Sequence, residues 1–375
     1  MPVKLKKFIL WAAPLVVGGL VGFVGSSLAF RNPPEYDAYA PPSMFSGGLL
    51  GLLIQIILVF MVGMLGFVVH IVLHEAGHLI AGKLSGYGFV SFRVGRFTVI
   101  KKHGKYYRKT YDMAGTGGQC LLSPPDVRGE DFRYPFMLYN LGGGLVNVIT
   151  GIVFLFIGLG LSGMPSMLLN LFAVFGIILG LSNLIPLTIG GVPNDGNNIL
   201  ALYKHASVRR SFWIQLKFAA LITQGERPRD MPEIWGEDEE NPTIRYAFLT
   251  DKGLMDEARA YAQHTVESPE DIPGIYKNEL RCELLFHELI KECRNDVIET
   301  MYTEELQKHI KASASQVSKQ RLLYAYHLLY KKDANEAEKN LAAFKKACAN
   351  TPFEGEVPGE NEMLEMIESA YAANK

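Results

Sequence analysis

The chain has 375 residues, enough for two or three domains, and 49% of them are hydrophobic against 20% charged, with a formal net charge of −1. That near-neutral total conceals a division: residues 1–225 hold 18 Lys+Arg against 8 Asp+Glu, whereas 226–375 hold 19 against 30. The first part therefore reads as an apolar membrane module and the second as an acidic water-soluble domain, and no nucleic-acid partner is expected. The four cysteines, Cys120, Cys282, Cys293 and Cys348, lack the paired spacing of a zinc knuckle or redox motif and read as reduced cytosolic thiols.

Four apolar stretches are long enough to span a bilayer, over residues 8–30, 49–82, 135–161 and 164–189. The first follows Lys4, Lys6 and Lys7, but it exceeds the roughly 7 to 15 apolar residues of a signal core, so an uncleaved helix is expected. The second is too long for one upright span and should tilt, bend near Gly63 and Gly66, or begin outside the bilayer. Between Gly82 and Pro135 lie ten Lys+Arg, against one in residues 31–48, so the positive-inside rule puts the 83–134 segment and both termini in the cytosol. The expected location is a cytoplasmic membrane of bacterial type.

Within the second stretch stands His74-Glu75-Ala76-Gly77-His78, and Glu75 is its only acidic residue. An ionisable group at bilayer depth costs about 2.5 to 3.5 kcal/mol on insertion scales, so a compensating partner is required. On a helix the i, i+4 spacing places both imidazoles on one face, where they can hold one Zn²⁺ with Glu75 beside the activated water. His70 lies on the same stripe but about 12 Å along the axis from His78, too far to share the ion, and reads as a packing or supporting histidine. Ala81 and Leu84 occupy the places where an extended metzincin pattern needs Gly and His, so the third ligand must come from elsewhere. Counting back from Lys83, His78 lies about 7 Å and His74 about 14 Å inside the cytoplasmic boundary.

Residues 90–110 alternate in strand fashion around a turn at His103-Gly104, so a small cytoplasmic β-hairpin insertion is expected over about 89–122. The glycine-rich Gly115-Thr116-Gly117-Gly118-Gln119-Cys120-Leu121 follows it. The fourth apolar stretch leads through Ser182-Asn183-Leu184-Ile185-Pro186 to Val192-Pro193-Asn194-Asp195-Gly196. Asp195 is the only acidic residue between Asp131 and Glu226, and it is the natural third ligand at a similar depth.

With these pieces in this order, residues 65–205 resemble the site-2 protease family of intramembrane zinc metalloproteases. The resemblance rests on His74 to His78 in a membrane helix, Gly142-Gly143-Gly144-Leu145-Val146-Asn147 in the next, and Asn183-Leu184-Ile185-Pro186 leading to Asp195-Gly196. It implies His74, His78 and Asp195 as zinc ligands, Glu75 as catalytic base, and Asn147 near the active site. It also implies that Gly117, Gly118 and Gln119 form an edge beside the site that can pair with an unwound segment of a membrane-anchored protein substrate. Two departures stand out: Gly144 replaces the usual proline, and the stretch from Asn183 to Asp195 is about four residues longer than usual, with an added Gly190-Gly191. The alternatives are a zinc transporter or a metal-binding membrane scaffold. A transporter needs ligands on a second helix at matching depth, and the third stretch offers only Asn140 and Asn147.

From Asn241 onward, helix-like runs alternate with polar breaks. Lys252-Gly253 and Lys332-Asp333 each open a second helix, which suggests hairpins stacked like tetratricopeptide repeats, with an ordinary helical domain as the alternative. This acidic domain carries no chemical motif and is expected to meet a cytosolic regulatory protein. The stretch 212–221, with Trp213, Lys217 and Phe218, reads as a helix along the membrane surface. The fold class is thus mainly α: about four transmembrane helices, a small β insertion, and an all-helical soluble domain over 226–375.

Overall fold

A computed structural model describes residues 48–111, 113, 116–127, 132–189, 192–238, 240–269 and 272–373. The expected first span over 8–30, the loop after it and Gly190-Gly191 lie outside the described residues. The described chain is mainly helical, with one four-stranded antiparallel sheet and a two-stranded ribbon. The described residues divide into two units, one up to Val68 with Thr150–Ile177, the other from Val69 to Ile149 with the part from Ile178 onward.

Three helices are long and apolar enough to cross a membrane: α1 (Gly48–Leu84), α2 (Phe136–Leu159) and α3 (Gly163–Leu184). α1 stays helical through Gly63 and Gly66, and at Gly66 the missing β-carbon eases the approach of the Phe172 ring. In that same unit Gly151 lets α2 lie against Ala173 and Ile177 of α3. Side chains such as Phe60, Met61 and Phe156 are exposed, as a lipid-facing surface requires. The last span was expected to reach Ile189 but stops at Leu184. Pro186 disfavours helix at Ile185, and Thr188–Ile189 (β5) instead pairs with Val192–Pro193 (β6).

The insertion forms β1 (Gly88–Val94), β2 (Phe97–Lys102), β3 (Lys105–Thr110) and β4 (Gly118–Ser123), in the order β3-β2-β1-β4. The expected turn at His103-Gly104 is present, with both residues at positive φ, the conformation that suits the twist of a two-residue hairpin. A second tight turn at Gly95-Arg96 splits the expected single hairpin into three strands, and β4 returns to pair with β1.

α4 (Asp195–Lys204) and α5 (Ala206–Gln224) follow. α5 does not lie free along a surface. Leu216 and Ala220 pack on Leu121 and the sheet, while Ile214 and Ile222 pack on Met231, Ile244 and Phe248 from the helices beyond. The acidic domain runs from α6 (Pro242–Asp251) through α7 (Met255–Glu267), α8 (Gly274–Lys291), α9 (Asn295–Met301), α10 (Glu304–Ala312), α11 (Val317–Ala325) and α12 (Ala334–Asn350) to α13 (Val357–Ala373). The expected breaks hold: Gly253 and Lys332 sit at positive φ, and Asp333 caps α12 by accepting the amide of Glu336.

This domain also binds the sheet: Glu354 is paired with Lys102 and, at 3.0 Å, with Lys109, and Phe353 packs edge-on against Tyr111, while at the end of α5 the Gln224 amide donates to Lys101 O at 2.8 Å. Inside the domain Arg321, nearly inaccessible, is shared between Glu283 and Glu360 and covers the ring of Phe286.

His287, fully buried on α8, lies 3.1 Å from the Tyr246 hydroxyl, and burial pushes its pKa down to about 4. Because the folded form holds a neutral ring, its contribution is complete above the ordinary histidine pKa and fades as pH falls from about 6.5 towards 4. His287→Gln keeps an acceptor for Tyr246 but cannot titrate. Between pH 7 and 5 the wild type should lose about 2 kcal/mol more stability than this variant, measured by denaturant unfolding followed through tryptophan fluorescence.

Candidate metal centre

The HExxH spacing on α1 turns both imidazoles to one side, and α4 brings Asp195 to them. Nε2 of His74 and Nε2 of His78 are 3.0 Å apart, and they lie 3.2 and 3.4 Å from Oδ2 of Asp195. The rings meet edge to face with centroids 4.7 Å apart. Nδ1 of His78 is 2.8 Å from the carbonyl of Tyr139. A carbonyl only accepts, so Nδ1 of His78 carries a proton, and a neutral ring then presents the Nε2 lone pair to the cluster. Oδ2 of Asp195 is buried and faces Nε2 of both histidines. The three groups could together hold a metal cation. Ligand atoms around tetrahedral Zn²⁺ at 2.0–2.1 Å stand about 3.3 Å from one another, close to the three separations here.

The close approach depends on glycine. Gly77 of α1 and Gly142 of α2 pack backbone on backbone, with no space for a β-carbon on either. A β-carbon at Gly143 would sit 2.5 Å from Nε2 of His78 and 2.6 Å from Cε1 of His74. Gly144, the departure from the family pattern, faces Leu184, whose Cγ would be 2.6 Å from any β-carbon there. Each glycine costs a helix about 1 kcal/mol relative to alanine; here they allow two helices to meet at the ligands.

Asp195 is fixed by its neighbour. Asn194 caps α4 by accepting the amide of Asn197 at 2.9 Å, and its amide group donates to the carbonyls of Ser182 at 2.6 Å and Ile185 at 2.7 Å. The added residues between Asn183 and Asp195 therefore leave the ligand anchored to the end of α3. The first turn of a helix also favours a carboxylate electrostatically.

Glu75, buried beside the cluster, touches the start of β4; a β-carbon at Gly118 would fall 2.6 Å from its Oε1. Gly117 packs in the same way on Ile71. Gln119 follows on β4 opposite Arg93 of β1. Asn147 is buried on α2 one turn beyond Gly143, and His70 is fully buried on α1. The residue roles that the sequence did not disclose are those of Tyr139 and Asn194. Tyr139 orients His78 through its carbonyl, and its hydroxyl donates to Cys120 O at 2.8 Å, tying α2 to β4.

Asn194→Ala keeps every ligand but releases Asp195 from α3, so metal affinity should fall by about 10- to 100-fold, the usual cost of losing an outer-shell support. Gly143→Ala pushes a methyl between the imidazoles and should empty the site. Metal content of purified protein after dialysis against a graded chelator checks both.

No protein-family model, curated protein or solved structure matches the chain.

Proposed function

We propose that the chain is an intramembrane zinc metalloprotease of the site-2 protease kind, cleaving a membrane-anchored protein near the cytoplasmic face of the bilayer. The observation that carries this reading is the convergence of His74, His78 and Asp195 beside a buried carboxylate, Glu75, on an apolar helix long enough to span. His74, His78 and Asp195 would hold the zinc, which supplies a polarised carbonyl and a water of lowered pKa when bound. Two histidines and one carboxylate leave room for that water, the ligand count of catalytic rather than structural sites.

Glu75 is not one of the three converging groups, which leaves it free to act as base. It takes a proton from the attacking water and delivers it to the departing amine. β4 supplies an edge next to Glu75 on which an unwound substrate segment can lie extended, since a helical peptide bond shields its carbonyl from attack. The acidic helices, held to the same sheet through Glu354, would report a cytosolic partner to that edge. The transport reading is less well served. Among the described residues His74, His78 and Asp195 are the one cluster suited to a metal, with no second set along a path.

Glu75→Gln keeps shape but cannot accept a proton. It should retain zinc and bind a reconstituted transmembrane substrate while cleavage slows by about 10² to 10⁴, whereas His78→Ala should lose both metal and activity. Cleavage by Glu75→Gln at near wild-type rate would exclude this role for the carboxylate.

A further inference from the structure

Arg93 lies on β1 with 1% of its surface exposed, and a buried guanidinium demands acceptors. It finds them in two connections, the β1–β2 turn and the entry to β4. Nη1 donates to the carbonyls of Gly95 at 2.8 Å and Thr116 at 3.5 Å, and Nη2 to the carbonyl of Gly118 at 3.2 Å and to the Thr116 hydroxyl. The cation therefore clamps the turn that begins β4, at the point where Gly117 meets Ile71 and Gly118 meets Glu75.

The register shows what the clamp does to the edge. Gly95 N donates to Gly117 O at 2.8 Å, which makes 95 and 117 a hydrogen-bonded pair. Val94 with Gly118 and Phe92 with Cys120 are then the alternate pairs, whose N–H and C=O groups point away from each other. Both outward carbonyls of β4 are already engaged, Gly118 O by Arg93 and Cys120 O by the Tyr139 hydroxyl. Cys120 is buried beneath Tyr139, so the outward group left for another strand is the N–H of Gly118, beside Glu75.

We propose that Arg93 is the positioning residue of the substrate edge: it fixes β4 against Glu75 and fills the Gly118 carbonyl, so that an extended segment is registered by one of its own carbonyls on the Gly118 N–H group. This inference rests on the proteolytic reading for the identity of the segment. One donor held at a fixed place beside the base selects a single alignment of the substrate over it. Lysine cannot take over the role, because a point charge with three donors does not fork across four acceptors.

The test uses full-length, zinc-loaded protein and the variants Arg93→Gln, Arg93→Lys and Thr116→Val, the last removing one partner of the clamp while keeping the buried cation. Hydrogen exchange read by mass spectrometry should quicken at least tenfold in peptides covering 116–123 of Arg93→Gln, with β2, β3 and zinc content unchanged. Against a single-span probe peptide carrying a Gly-Pro pair in its cytosolic third, the wild type should cut one bond. The variants should cut several, with KM raised about tenfold and kcat changed less, Thr116→Val most mildly. Unchanged exchange over 116–123, or a single cleavage bond in every variant, overturns the proposal. So does quickened exchange throughout the chain with loss of zinc, which would make Arg93 a general support of the fold. If the wild type is zinc-loaded yet leaves the probe intact, the proteolytic reading fails, and the exchange measurement alone decides whether Arg93 holds β4.

Discussion

Three electron-rich atoms, two imidazole nitrogens and a carboxylate oxygen, point at one another across 3.0 to 3.4 Å on and beside an apolar helix. Such a cluster could hold a metal ion, and much of the surrounding structure serves to keep it in place. The consecutive glycines of α2 give up helix propensity to make room for the rings. The Tyr139 carbonyl fixes which nitrogen of His78 faces inward, and Asn194 locks the carboxylate to the end of α3. Metal affinity should thus be a property of the packing between helices as much as of the ligands.

The same economy of contacts links the centre to the soluble part. Tyr139 touches the site with its carbonyl and β4 with its hydroxyl, and β4 pairs with β1. β2 and β3 are gripped by Glu354 and Gln224. A displacement of the acidic helices therefore has a short, hydrogen-bonded route to the strand beside Glu75. α5, apolar on two sides, fills the space between sheet and helices, where Phe212, Trp213 and Phe218 are half-buried.

What could be read from sequence alone was what is local or conspicuous by contrast. The i, i+4 histidines announce themselves through helical periodicity, and Asp195 through being the one acid in a long apolar and basic stretch. The His103-Gly104 turn has a recognisable composition, whereas Gly95-Arg96 was hidden inside an alternation that continues across it. Tyr139 acts through a carbonyl that every residue possesses, so its identity carries no signal for that role. Asn194 acts through bonds that reach back 9 and 12 residues and become visible only when α3 and α4 are brought together. Arg93 reads as one more basic residue of a cytosolic insertion, and only the register of β1 on β4 reveals it as buried.

The long connection between α3 and Asp195 shows how these constraints can coexist with variation. Closing a loop becomes only slowly more costly as it lengthens, about 0.6 kcal/mol per doubling, so a few added residues weigh little if both ends are held. One side chain, Asn194, holds them, while the residues between include the short β5–β6 ribbon, whose Thr188 is tied to Asn197 at 3.1 Å. Ligand geometry is thereby separated from loop length. The connection can change in size and sequence beside the site, altering what approaches it, without moving the carboxylate that completes the centre.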